Sequence, residues 1–313
     1  MPVNSKRAIY NFAARIRFSY IFIIIKFIKN LEWSFTNKFS TNLINLFDPN
    51  NIRKRTNWRI RQCIVIHTTP GGDFFELDLS DHVDYRTYIY NYFDNTVLQF
   101  IKNYSLADST IFIDVGANIG SITIPIANLD VETIAIEPST INFDKLLKNG
   151  SLNTGVFTLI KEAMVGHSFM DKQLLIYSPF GNFGASSYNS GWNPGESLLH
   201  TEVVATNTLD DLFFSLKINT LGKKLVIKID VEGMEDEVLD GADKVIKEIR
   251  PYIILEWRMD RYEDKSKDKL LNKIEGLINY NIFAIRSDND KIVLDKFDKS
   301  SNYENIVLIP GKI

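Results

Sequence analysis

Apolar positions along this chain follow two rhythms. From Val83 to Tyr104 the segment YRTYIYNYFDNTVLQFIKNY repeats its apolar residues every three or four positions, which predicts a helix. Before it, RQCIVIH and FFELDLS flank the turn TPGGD and predict a β-hairpin. After it, short runs that are almost continuously apolar alternate with helical patterns. TIFIDVG (110–116), VETIAIEP (131–138), VFTLIKEAMVG (156–166), LVIKIDV (225–231) and RPYIILEW (250–257) read as strands. SITIPIANL, INFDKLLKNG, EDEVLDGADKVIKEI and LLNKIEGLINYN read as helices, and NIFAIR, KIVLD and ENIVLIP as closing strands. KQLLIYS suits a hairpin arm ahead of a loop rich in Gly, Ser and Asn. Strands without polar alternation are buried on both faces, so the expected fold is a mostly parallel α/β sheet covered by helices.

The first 56 residues do not fit this alternation. They read as a basic, hydrophobic N-terminal arm ahead of a domain over 57–313, in which 57–104 supply the hairpin and helix and 105–313 a Rossmann-like core. Residues 1–62 hold twelve Lys or Arg against Glu32 and Asp48, a charge of +10 that leaves −13 for the rest. The arm contains FSYIFIIIKFI (18–28), eleven residues with Lys26 inside, too short to span a bilayer as a helix, which takes about 20. It suits either an element packed on the body or a peripheral membrane contact through residues 15–33, where Arg15, Arg17, Lys26 and Lys29 accompany aromatic residues. No small-residue cleavage site follows it, so the expected location is the cytoplasm, free or at the inner membrane face. The single cysteine, Cys63, excludes a disulfide framework. The four histidines, His67, His82, His167 and His200, lack ligand spacing and lie in none of the motifs below, so they read as core or surface residues.

Candidate chemistry sits at the strand ends, where open α/β sheets bind their ligands. In Asp114-Val-Gly116-Ala-Asn118-Ile-Gly120 the glycines allow backbone to approach a ligand, but the spacing is not the G-x-G-x-x-G of dinucleotide folds, and no P-loop lysine follows. An acid there suits a cationic or zwitterionic ligand, such as the amino-acid end of S-adenosylmethionine. Glu137, ending the next strand 17 residues beyond Gly120, is placed to bond two ribose hydroxyls. In KIDVEG the carboxylates of Asp230 and Glu232 are expected on one face of an extended segment, before Gly233 turns the chain; helix capping would also use acids there.

DVGANIG, AIEP, EAMVG, VATNTLDDL, KIDVEGMEDEVLDGA and RPYIILEW occur in this order over roughly residues 85–260 and together closely resemble the FkbM family of S-adenosylmethionine-dependent methyltransferases. The resemblance implies the seven-stranded class I methyltransferase fold and methyl transfer to hydroxyls, commonly of sugars. Carried residue by residue, it implies that Asp114, Gly116, Asn118 and Gly120 hold the methionine end of the cofactor. It further implies that Glu137 binds the ribose, that Glu162 and Ala163 border the adenine, and that Asp230, Glu232 and Gly233 lie beside the reactive methyl.

A hydroxyl must also lose its proton. Asp230 and Glu232 are the first candidates for the base and Glu256, ending the fifth strand, the third. A carboxylate-held divalent metal would need a third ligand beside Asp230 and Glu232, and none is evident in the sequence, so no metal residues are assigned. The loop GNFGASSYNSGWN (181–193), with Phe183, Tyr188 and Trp192, reads as a plain surface excursion or as a lid over a sugar. The expected partner is a sugar, glycan or other hydroxyl-bearing acceptor. A nucleic-acid substrate is not expected, because the body is acidic. The remaining alternatives are a methyltransferase acting on a non-sugar acceptor and a non-enzymatic membrane or assembly module retaining the cofactor fold.

Overall fold

The computed structural model describes residues 48, 63–106, 109–169, 173–180, 182–188, 199–257, 264–288, 291–299, 301 and 303–311. The hydrophobic run of the arm and the expected membrane contact through residues 15–33 lie outside these residues. No described helix is long and apolar enough to cross a membrane.

The predicted hairpin is β1 (Ile64–Thr68) paired antiparallel with β2 (Phe74–Asp78). The helix expected over 83–104 is interrupted. α1 (His82–Tyr90) ends at Asn91, whose φ of 71° is left-handed, and α2 (Asn95–Phe100) restarts where the Asp94 carboxylate accepts from Val97 N at 3.1 Å. Asn tolerates that backbone and Asp satisfies an orphan amide, so local chemistry overrides the longer apolar rhythm.

The alternating core follows: β3 (Thr110–Val115), α3 (Thr123–Ala127), β4 (Glu132–Ile136), α4 (Thr140–Ser151) and β5 (Phe157–Ile160). The third predicted strand is in fact two, since β6 (Ala163–Met164) leaves the main sheet. It joins β8 (Leu199–Asn207) and β7 (Gln173–Pro179), the latter being the expected hairpin arm. Then come α5 (Leu209–Ser215), β9 (Lys224–Ile229), α6 (Glu235–Asp240), β10 (Tyr252–Glu256), α7 (Asp264–Glu275), β11 (Tyr280–Asp288), β12 (Lys291–Lys296) and β13 (Asn305–Pro310).

The main sheet has the order β12-β11-β13-β10-β9-β3-β4-β5. β10, β9, β3, β4 and β5 run parallel, while β13, β11 and β12 are antiparallel. This is the class I methyltransferase arrangement with β12 as an eighth, edge strand. Chain order reverses between β3 and β9, which opens a crevice at their carboxyl ends.

Both sheet faces are apolar, as the unalternating strands require. Ile111, Ile113, Ile227 and Ile253 pack on one side with Val238 and Leu239 of α6. Phe112, Val226, Ile254 and Val307 pack on the other with Val97, Leu98 and Phe100 of α2. A third cluster joins Phe75 and Leu77 of β2 to Tyr85 and Ile89 of α1 and Leu146 of α4.

The hairpin, α1 and α4 are also tied by a buried charge. Asp84 Oδ2 accepts from Asp78 N at 2.7 Å and from Lys145 Nζ at 2.9 Å. Burial pushes the Asp84 carboxyl up to about 7, against the opposing pull of Lys145. Removing one partner of such a pair strands the other, so Asp84→Ala is expected to destabilise the fold by about 3 kcal/mol. Urea unfolding at constant m-value measures this; a midpoint within error of the parent would show that the pair does not hold these elements together.

Candidate active site

The turn after β3 is shaped by its neighbours. Gly116 has φ of 85°, and a Cβ there would lie 1.8 Å from the Asp230 carbonyl oxygen, so no larger residue fits between the ends of β3 and β9. Asn118 is also left-handed, with φ of 52°, which turns its amide toward β4. Asn118 N donates to Glu137 Oε2 at 2.8 Å and Ser139 N to Oε1 at 2.9 Å. Glu137 is buried, and desolvation pushes its carboxyl up to about 7 in spite of those two amides. Gly120, with φ of 90°, packs against Leu146 and Ile124 and does not line the cavity described below. Its part is to let the helix start tightly.

The parallel register of β3 and β9 sets Asp114 beside Lys228. The Lys228 ammonium, 3.0 Å from Asp230 Oδ2 and 3.6 Å from Asp114 Oδ1, is buried. Desolvation disfavours that charge, but Asp230 and Asp114 outweigh it and raise the lysine's pKa. Asp114 also accepts from Thr123 Oγ1 at 2.7 Å, and burial raises its carboxyl above the ordinary range. The acid expected to face a cationic ligand thus already faces a cation of the protein itself.

Asp230 and Glu232 do converge, but not along an extended strand. β9 ends at Ile229, and the chain turns through Glu232, with φ of 53°, and Gly233, with φ of 102°. The capping role falls to buried Glu235, whose carboxylate accepts from Val231 N at 3.1 Å and Gly233 N at 3.2 Å. The turn carries Asp230 and Glu232 to Glu256 at the end of β10, with one oxygen of each within 4.8 Å of the others. Glu256 is therefore the third carboxylate not evident in the sequence. Among the described residues this trio is the group that could hold a divalent cation.

These residues open on one cavity of about 310 Å³. Asp114, Gly116, Asn118, Glu137, Glu162 and Ala163 line it, as do Asp230, Glu232 and Glu256. Glu162 is held by Asn207 Nδ2 at 2.9 Å. Asp114 Oδ1, Asn118 Oδ1 and Asn142 Oδ1 are buried with no hydrogen-bond partner among the described residues. These acceptors suit a ligand that brings hydroxyl, amino or ammonium donors, as S-adenosylmethionine does.

Several lining residues are not among the site residues expected from the sequence: His82 and Arg86 of α1, Asp94, Asn142, Lys228 and Asn305. Lys228 carries a usable signal, since it is the one charge inside the apolar run LVIKI. The others are brought in by tertiary packing. The start of the suspected lid is pinned down: Phe183 N donates to Asp81 Oδ2 at 2.9 Å and Asn142 Nδ2 to Phe183 O at 3.0 Å. Tyr188 lines the cavity and is 38% exposed, whereas Trp192 lies outside the described residues.

Comparison with curated proteins found no match. Among solved structures, the chain is similar to methyltransferase FkbM from Methylobacillus flagellatus, at 18% identity and a TM-score of 0.39, over 66% of this chain and 45% of that one. The chain thus spans less than half the length of that relative. It is similar to a magnesium protoporphyrin IX methyltransferase from Synechocystis with bound S-adenosylmethionine, at 10% identity and a TM-score of 0.36, over 69% and 77%. It is also similar to an S-adenosylmethionine-dependent O-methyltransferase from Thermotoga maritima, at 9% identity and a TM-score of 0.34, over 80% and 78%. The family profile described as the methyltransferase FkbM domain matches residues 114–289, more than half of the chain and the whole stretch from the β3 acid through β11. The chain belongs to the FkbM methyltransferase family, whose methyl donor is S-adenosylmethionine.

Proposed function

We propose that the protein transfers the methyl group of S-adenosylmethionine to a hydroxyl of a sugar, glycan or related metabolite. The observation that carries this reading is the meeting of Asp230, Glu232 and Glu256 in the same cavity as Glu137. A carboxylate trio beside the donor's site suits an acceptor rich in hydroxyl donors, which carboxylates bond strongly.

When bound, S-adenosylmethionine supplies a methyl already activated by its sulfonium. The chain's own residues have three tasks. Glu137, its two oxygens already steadied by amides, keeps lone pairs for the ribose hydroxyls. Glu162 and Ala163 flank the adenine, and Gly116 and Asn118 let the backbone come close to the methionine end. Asp230, Glu232 and Glu256 would hold the acceptor oxygen, and alignment of that oxygen supplies much of the rate of such a displacement. Whether the acceptor is lipid-linked turns on residues 15–33. A shortened chain beginning at Asn57 that pellets with anionic vesicles as well as the whole chain does would remove the membrane contact.

Glu137→Ala is expected to weaken S-adenosylmethionine and S-adenosylhomocysteine alike, by ~1–3 kcal/mol, in calorimetric titration. The pH dependence follows from its raised carboxyl. Ribose hydroxyls bond the charged form best, so binding expels the proton that free Glu137 holds below about 7. Affinity should therefore rise with pH through that value and level off above it, with proton release seen as a buffer-dependent heat. A profile flat through the window would take Glu137 off the ligand.

Asp230→Asn should behave differently. It is expected to slow methyl transfer to the acceptor by ~10²-fold or more while cofactor affinity stays near that of the parent. Full activity would remove Asp230 from the acceptor side.

A further inference from the structure

We infer that His82 is the base that receives the acceptor's proton, its ring set by Asp48 from the N-terminal segment; this rests on the methyl-transfer reading above and completes it. His82 is the first residue of α1 and lines the cavity. Its Nδ1 is 2.9 Å from Asp48 Oδ1, and Asp48 is only 2% exposed although it lies 34 residues upstream. A buried carboxylate on Nδ1 keeps the ring proton on that nitrogen, which leaves the lone pair of Nε2 for another hydrogen. No described residue takes Nε2. The ring stands edge-on to Phe93, with centroids 6.2 Å apart at 81°, so its plane is fixed from a second side.

Other groups near the ring have other tasks. Asp81 caps α1 through Val83 N and holds Phe183 N, while the Arg86 guanidinium lies 4.4 Å over the Tyr90 ring. Asp230 Oδ2 accepts from Lys228 Nζ at 3.0 Å. Carboxylates so placed orient a hydroxyl, whereas imidazole is the side chain suited to taking a proton near neutrality. Nucleophile activation by a histidine that a carboxylate orients is the general pattern.

In the transfer the acceptor O–H bond breaks toward Nε2 as the oxygen gains the methyl, and the electron pair of the old carbon–sulfur bond stays on sulfur. The imidazolium is stabilised by Asp48 and returns its proton to solvent. Charge and atoms balance without a further reactant.

The test uses the whole chain. Ring-nitrogen NMR, with His82 assigned from its loss in His82→Gln, is expected to show Nδ1 protonated and Nε2 bare; a ring protonated on Nε2 overturns the assignment. With methyl glycosides as probe acceptors and labelled S-adenosylmethionine, His82→Ala should lower turnover ~10²–10⁴-fold at unchanged cofactor affinity. Added imidazole should restore part of it, which a merely structural defect would not allow. Parent-like turnover in His82→Gln overturns the base role while leaving methyl transfer standing. A parent chain that binds no cofactor overturns methyl transfer itself. Where the glycosides prove inert with the parent chain, the ring tautomer decides.

Discussion

Everything at the site is arranged around one buried ammonium. Lys228 sits in the central strand, beside Asp114 in register and two residues before Asp230. A lone lysine in that position would be costly to bury charged. Two acids reverse the balance and raise its pKa, so the charge persists. The ammonium in turn governs geometry: it draws together the ends of β3 and β9, the two strands between which the crevice opens. Gly116 answers the same closeness from the backbone side, since a side chain there would collide with the Asp230 carbonyl. Loop, lysine and acid are one packed unit, in which Gly116 meets the Asp230 backbone and Lys228 bridges Asp114 and Asp230.

The architecture is legible in the sequence because it is written in local signals. Strands buried on both faces must be apolar throughout, and TIFIDV, ETIAI and YIILE say so directly. The loop glycines and Glu137 are legible for the same reason, being tied to strand ends. What stays illegible depends on side chains meeting across the fold. The spacing of Asp230 and Glu232 makes them neighbours on an extended strand, but a left-handed Glu232 and Gly233 bring them together instead. Glu256 stands in the sequence as a third candidate base, yet only the β9–β10 pairing reveals that it belongs with them. His82 belongs to no motif. Its meaning comes from Asp48, a residue of the arm that no periodicity links to α1.

That contact changes how the N-terminal segment is seen. The sequence separates a basic arm from an acidic body at about residue 56, and composition alone gives the arm no share in chemistry. Asp48 is one of the two acids in the first 62 residues and it is buried against α1. Acids that are rare in a basic stretch and yet desolvated are held for a partner. On the inference drawn from it, Asp48 is part of the site.

The charge of the cavity bears on turnover. The charged part of its lining is mostly acidic, with Lys228 already committed to Asp114 and Asp230. Such a lining favours a ligand that carries positive charge, and S-adenosylmethionine does so at its sulfonium. On the function proposed above, carboxylates that favour the donor's positive charge would favour its neutral product less. A proton left among those acids would weaken them, so the inferred transfer to His82, another lining residue, agrees with the charge of the cavity.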